Sequence, residues 1–378
     1  MPNPFIYSEP VSPENLLDRD DEAGRLLVRA VGSHNSRLVA PRRYGKTSLL
    51  RRVLRDVEND GFTPVYVSFF GVLSAADIAQ RIERAYAEQL TGRLAAWFAA
   101  VRRSLRPTVG VQAGVPGVAS GQLSMSPVPA EQSVLDRLAL PRKLHEQRGA
   151  RALIVFDEFQ DVLSVSGQMD AVIRSEIEHH GEAASYIFAG SHVGMMRELF
   201  TSKRRAFYGQ TSAVDLGPLA DADVADYLYV RFELSGRELG HALGQLLEIA
   251  RGHPQRTMLL AHYLWEQTPA GERADEAEFA ATLDHVLNVE VRDEFRVIWS
   301  SLHDTQRRVL AAVADNSSGL YSATTQARVG GGRGGYLKQA VHELLDAGEL
   351  ADDASTATGY RLVDPLLALW VSEHRGDT

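Results

Sequence analysis

Between Ser36 and Glu58 the chain changes period once, and that change leaves few folds open. Ser36–Ala40 is short, mostly apolar and closed by Pro41, which reads as a strand, whereas Thr47–Glu58 is amphipathic at helical spacing. The turn between them, Pro41-Arg42-Arg43-Tyr44-Gly45-Lys46-Thr47-Ser48, completes G-x-x-x-x-G-K-[ST] except that Ala40 stands first. Pro41 keeps residue 40 extended, where alanine is unstrained. Such a turn suits a phosphate chain: backbone N–H groups converge on it, and the positive end of a helix dipole faces it. Gly45 allows close approach, Lys46 reaches the terminal phosphates, and the Thr47 hydroxyl is placed to ligate Mg²⁺. A G-K-T string also arises by chance at helix starts; the strand-to-helix junction gives it meaning here.

A second element supports the first. Leu153-Ile154-Val155-Phe156-Asp157-Glu158 is an apolar strand ending in two carboxylates. At the C-terminal edge of an open α/β sheet these would meet the same phosphates, Asp157 holding Mg²⁺ and Glu158 orienting and deprotonating the attacking water. Further strands are read at Pro64–Phe70, Ser185–Ala189 and Ala213–Leu216, with helices between them, so the first half is a parallel α/β sheet. Apolar residues from Ile78 to Val101 at steps of three and four predict one long helix over Ala75–Leu105. Pro107–Pro129, rich in Gly, Ser and Val, reads as an inserted hairpin, and Gln132–Gln147 as a helix kinked at Pro141.

Past Asp221 the pattern is helical: Asp221–Leu234, Glu238–Ala250, Arg256–Glu266 and Ala277–Asn288. From Asp304, helices lead through the glycine run Gly330–Gly335 into Tyr336–Ala347, and two short strands flank Ser355–Gly359, the pattern of a helix-turn-helix with a β-wing. The divisions expected are a core over 1–217, with the insertion at 107–129, a helical lid over 218–296 and a winged-helix-like domain over 297–378.

Composition narrows the functions. The 378 residues carry 40 Lys+Arg against 49 Asp+Glu, a net charge of −9, which argues against a surface built for non-specific nucleic-acid or membrane binding. No cysteine is present, so disulfides, thiolate metal sites and a cysteine nucleophile are excluded. No apolar run approaches membrane-spanning length and no export signal opens the chain, so a cytoplasmic protein without membrane contact is expected. From Ser300 onward seven basic residues face ten acidic ones, and the presumed recognition helix offers only Lys338, Gln339 and His342, with Arg333 before it. DNA is a disfavoured partner on this footing. Gly330–Gly335 formally fits a dinucleotide fingerprint but follows no strand, and His179-His180 reads as a solvated helix end rather than a metal site.

With both phosphate elements in place, the chain resembles the AAA+/STAND-type P-loop ATPases, in particular the archaeal-ATPase-like family. The resemblance runs through Pro4-Phe5, Pro10-Val11-Ser12-Pro13-Glu14, the Ala-Pro-Arg-Arg-Tyr-Gly-Lys-Thr-Ser string, Gly252-His253-Pro254-Gln255 and the ending Asp364-Pro365-Leu366-Leu367 with Trp370. It implies an α/β P-loop NTPase sheet core with a helical lid and a C-terminal winged-helix domain, binding ATP with Mg²⁺. Asp18-Arg19-Asp20-Asp21-Glu22 is similar to the family's adenine-side segment, with Asp18 where glycine is usual, and makes Arg19 a nucleotide contact. The residues from Ala40 through Ser48 would cradle phosphate, and Pro254 would touch the nucleotide from the lid. Ser191, with His192 behind it, takes the sensor position for the γ-phosphate, and Arg256 is a candidate for the lid's sensing charge. Where the family usually ends Leu-Tyr-Gly-Arg, this chain reads Phe207-Tyr208-Gly209-Gln210, so Arg204 or Arg205 would have to supply the arginine acting in trans. Three functions follow from the resemblance: a nucleotide-driven conformational switch hydrolysing ATP to ADP and phosphate, a nucleotide-stabilised protein-binding scaffold with little turnover, or a replication-initiator-like DNA-binding ATPase. A homo-oligomer and a protein effector are the macromolecular partners it suggests.

Overall fold

The computed structural model describes residues 2–103, 105, 130–322, 325 and 334–373. Its centre is a five-stranded, wholly parallel sheet of β1 (Ser36–Val39), β2 (Thr63–Ser68), β3 (Ala152–Asp157), β4 (Ala184–Gly190) and β5 (Ser212–Asp215), in the order β2-β3-β4-β1-β5. Every residue of β3 and β4 is buried, as helices on both faces of a parallel sheet require, and this explains their unbroken apolar runs. Edge strand β2 alternates buried and half-buried residues instead.

Strand order decides where the chemistry falls. β4 lies between β1 and β3, and its register pairs Val39 with Gly190 and Phe156 with Phe188. The ends of β1, β4 and β3 therefore stand side by side. Behind them Phe156, Phe159, Phe188, Phe200 and Phe207 form one aromatic cluster, with Phe159–Phe188 centroids 4.7 Å apart and Phe188–Phe207 4.8 Å apart. Each such ring buries about 1.5–3 kcal/mol of apolar surface energy, enough to hold the turn after β3 in one conformation.

Several elements differ from the sequence expectation. The single helix over Ala75–Leu105 is two, Ala75–Gln89 and Gly92–Arg102, because Leu90 and Thr91 are extended and Gly92 lies at φ +53°. Apolar spacing persists across the break, so periodicity alone could not show it. The kink expected at Pro141 falls at Ala139, a one-residue interruption between Ala130–Leu138 and Leu140–Arg148 bridged by Ala139 N to Leu135 O and Lys143 N to Ala139 O, with the proline in the second helix's first turn, where its missing N–H is harmless. Glu238–Ala250 is not all helix: Glu238–Leu239 pairs with Arg273–Ala274 in a small parallel sheet, and the helix spans Ala242–Ala250. The hairpin expected over Pro107–Pro129 and most of the Gly330–Gly335 run lie outside the described residues.

Beyond β5, one apolar cluster runs from Leu219 through Leu260, Phe295 and Leu310 to Leu366 and Val371, and it takes in Phe5 from the N-terminal segment. The helices following the sheet and the C-terminal segment thus share a core. In the latter, helices Asp304–Asp315 and Gly334–Ala347 precede the antiparallel pair Leu350–Asp352 and Tyr360–Leu362, two strands that flank Ser355–Gly359 as the sequence predicts, and helix Pro365–Glu373 closes the structure. Among the described residues no helix is long and apolar enough to cross a membrane.

Candidate functional site

Gly45 sits at φ +82°, a left-handed conformation that glycine adopts without strain, and it turns the chain from β1 into helix Lys46–Asn59. The first N–H groups of that helix lack intrahelical partners and point out of its N-terminus. Lys46, 7% exposed, forms ion pairs with Asp157 and, at 2.9 Å, with Glu158 Oε1. The Tyr66 hydroxyl, from the neighbouring strand, donates to Asp157 Oδ2 at 2.6 Å; burial and then the adjacent carboxylate push that phenol well above its ordinary value.

Glu158 lies just past β3 at φ +51°, an uncommon conformation for a non-glycine residue and one that aims the carboxylate back over the sheet edge. Its Oε2 accepts from Ser191 Oγ at 2.8 Å, Ser191 N at 3.1 Å and Gln160 Nε2 at 2.8 Å. Burial alone would raise its pKa. The Lys46 ammonium and the hydrogen bonds from Gln160, Lys46 and Ser191 outweigh burial and hold it at about 2.

Lys46, Glu158, Gln160 and Ser191 line one end of a cavity of about 520 Å³, while Asp157 and Tyr66 stand behind its wall. Its other end is apolar, with Leu219, Tyr227 and Met258, and its rim is the N-terminal segment from Ile6 to Leu17. That segment bridges both halves of the molecule: Phe5 is buried against Phe232, while Val11 N donates to Ser48 Oγ at 3.1 Å.

The cavity wall includes Arg19, Pro41, Arg42, Arg43, Tyr44, Gly45, Lys46, Thr47, Ser48, Glu158, Ser191, His192 and Pro254 among the residues the sequence nominated. Several have other engagements. Ala40 is buried beneath the loop, donating its N–H to Gly190 O at 3.4 Å. Arg19 directs its guanidinium to Glu22 at 3.0 Å and to Gly217 O at 2.7 Å. Arg43 pairs with Glu294, and Tyr44 stacks edge-on at 4.8 Å to His253 while its hydroxyl donates to Val363 O at 3.5 Å. Arg256, 1% exposed, bonds Asp364 at 2.9 Å and Glu294 at 3.2 Å.

Arg204 and Arg205 lie outside the cavity wall. Arg205 is tied to Glu198 at 2.7 Å and to Gly167 O at 2.9 Å, whereas Arg204 is exposed. Gln210, in the place of the usual arginine, accepts from Arg174 at 3.0 Å. Of the two neighbouring histidines, His179 is solvated as expected; His180 is instead buried, with Nδ1 2.7 Å from the Tyr186 hydroxyl, and burial lowers its pKa to about 4. On the presumed recognition helix, Gln339 donates to Glu343 at 2.9 Å and His342 lies 3.3 Å from Asp346.

Tyr66, Gln160, Asp161 and the Ile6–Leu17 rim were not anticipated. Tyr66 became legible only with the β2–β3 register, which sets Ser68 beside Asp157. Gln160 carried a signal in its closeness to Asp157 and Glu158.

No protein-family model matches the sequence, and no curated protein matches it. Solved structures do. A Walker-type ATPase of Pyrococcus abyssi superposes with a TM-score of 0.67 at 15% identity, covering 95% of this chain and 97% of that one. The ORC2 protein of Aeropyrum pernix, in its ADPNP–ADP complexes, gives 0.61 at 16% identity over 98% of each chain. At such identities the likeness is one of fold: an α/β P-loop NTPase-like architecture, with a parallel five-stranded sheet flanked by helices.

Proposed function

We propose that this chain is an AAA+/STAND-type ATPase that works as a nucleotide-driven conformational switch, binding ATP with Mg²⁺ and hydrolysing it to ADP and phosphate. One observation carries the reading: the Gly45-led helix N-terminus, Lys46, Glu158 and Ser191 converge on a single cavity at the C-terminal edge of the sheet, with Asp157 paired to Lys46 behind its wall. The likeness to a structure described as a Walker-type ATPase agrees with it.

Roles follow from position. Backbone N–H groups at Gly45–Ser48 hold phosphate oxygens, and Lys46 leaves its carboxylate partners to meet the β- and γ-phosphates. Glu158, relieved of that ammonium, orients and deprotonates water, while Ser191 keeps its carboxylate in place. The Thr47 hydroxyl and the Asp157 carboxylate are hard oxygen donors on facing elements, the donor set Mg²⁺ prefers. When bound, the ion would neutralise charge on the phosphates. The apolar end at Leu219, Tyr227 and Met258 has the character of a base pocket, with Arg19 bracing its floor and Pro254 closing it from the lid.

The divisions we assign are a core over 1–217, a lid over 218–296 and a winged-helix-like domain over 297–378. Switching is supported by the residues that leave the phosphate loop: Arg43 to Glu294, Glu294 to Arg256, Arg256 to Asp364, and Tyr44 to His253 and Val363. A loop that rearranges around phosphate would disturb each of these, and the shared core of lid and C-terminal domain would make them turn together.

A second reading, a nucleotide-stabilised scaffold with little turnover, is favoured by the engagement of Arg205 and Gln210 within the chain, which leaves exposed Arg204 as the group able to act on a neighbour. Single-turnover hydrolysis separates the two. The switch predicts release of phosphate that Glu158→Gln abolishes while ATP binding persists; bound ATP that stays intact in the unaltered protein would select the scaffold. DNA binding draws no support from the recognition helix, whose Gln339 and His342 already face acidic partners.

A further inference from the structure

Gln160 is 4% exposed, two residues past Glu158, and has no role in the mechanism above. Its amide nitrogen donates twice, to Glu158 Oε2 at 2.8 Å and to Asp161 Oδ1 at 3.0 Å. The other oxygen of Asp161 accepts the Gly71 N–H at 2.8 Å. A continuous chain thus runs from the carboxylate proposed to activate water, through one amide and one carboxylate, to the backbone of the loop following β2. Space has been kept for it: a Cβ on Gly190 would stand 2.3 Å from Gln160 Oε1, so the last residue of β4 can be only glycine while the amide stays where it is. That oxygen is buried and has no hydrogen-bond partner among the described residues, so the amide is oriented by its two N–H bonds alone.

The loop at the far end has further tethers through its carbonyls, and Leu73 N donates to Asp77 Oδ2 at 3.1 Å. Arg81 donates to Ser68 O at 3.0 Å and to Phe70 O at 2.8 Å, and Ser164 donates to Val72 O at 3.3 Å. Phe69 N fixes the start of the loop by donating to Asp157 O at 2.8 Å, and Gly71 N is the donor that ties its middle to the Gln160–Asp161 pair. Its tip shows Phe70, 68% exposed, and Leu73, 88% exposed, and Phe70 also borders the phosphate cavity.

We propose that Gln160 is a positioning residue that sets the orientation of Glu158 for hydrolysis and, through Asp161, couples that orientation to the Phe70–Leu73 loop. This deepens the ATPase reading and rests on it for the hydrolytic half; the coupling half stands on the nucleotide-free protein. Two neutral N–H donors meeting two carboxylates form charge-assisted bonds, stronger than neutral ones, so their loss moves both ends.

The test is Gln160→Met, which keeps the length of the side chain but removes both donors, with hydrogen exchange of residues 69–73 and ATP kinetics measured on the full chain. The expected result is unchanged melting behaviour, an ATP Kd within about twofold, kcat lowered by about tenfold, and faster exchange at Gly71 without nucleotide. Asp161→Asn, which cannot accept from both neighbours, should reproduce the faster exchange. Unchanged Gly71 exchange in both variants, or unchanged kcat in Gln160→Met, overturns the proposal. Failure of the unaltered protein to bind ATP would instead overturn the phosphate-site reading, and the exchange comparison would still decide the coupling.

Discussion

Glu158 is a weak base as it stands, since a carboxyl held at about 2 has little affinity for a proton from water. Lys46 does much of that holding, so phosphate binding, by drawing the ammonium away, would both expose the carboxylate and raise its basicity. The same arrangement has a signature in stability. The folded value lies below the ordinary 4.5, so the stabilisation is complete above about 4.5 and is lost as pH falls toward 2. Protonation of this site should therefore contribute to acid denaturation of the nucleotide-free protein, and Glu158→Gln should flatten the fall in melting temperature between those values; an identical pH profile in the variant would contradict it. Ser191 contributes a hydroxyl and a backbone N–H to the same oxygen. Ser191→Ala removes one of the two and should lower kcat by about tenfold with little change in ATP affinity, measured in steady state.

At the scale of elements, the helix Pro254–Gln267 joins the phosphate loop to the C-terminal segment. Its cap is His253, whose Nδ1 accepts from Arg256 N at 3.3 Å, and its first turn presents Arg256 to Asp364. Burial pushes the Asp364 carboxyl up, and Arg256 more than offsets it, so the acid stays charged inside the molecule. Removing one member of a buried pair strands the other: Asp364→Ala should cost about 3–5 kcal/mol in denaturant unfolding, and a loss under 1 kcal/mol would show that the pair does not join these elements. How legible such elements were depended on where their information lay. That the turn at Gly45 and the acidic end of β3 meet was readable because a local string and a strand boundary specify them, while Ser191 beside them was nominated by the resemblance. Strand order, the break at Gly92 and the buried state of His180 were not, since each depends on which segments meet in space. Arg256 shows the limit well: its place after Gly252-His253-Pro254 suggested a charge facing the nucleotide, yet the groups that claim it, Asp364 and Glu294, come from distant sequence.

For the whole molecule, one apolar core runs from Leu219 to Val371, so on the switch proposed above the segments assigned as lid and C-terminal domain would respond to the loop as one body. Should copies of the chain complete one another's sites, Arg204 is the exposed one of the two nominated arginines, and specific turnover should rise steeply with protein concentration, the rise vanishing in Arg204→Ala; turnover independent of concentration would mean that each chain acts alone. All of this depends on a triphosphate being gripped at Gly45–Ser48. Equilibrium titration of a fluorescent ATP analogue with Mg²⁺ tests that most directly: saturable binding displaced by ATP, weakened by about a hundredfold or more in Lys46→Ala, is the result expected for a charge-assisted phosphate contact. Equal binding by the Lys46→Ala protein, or none by the unaltered one, would contradict the account.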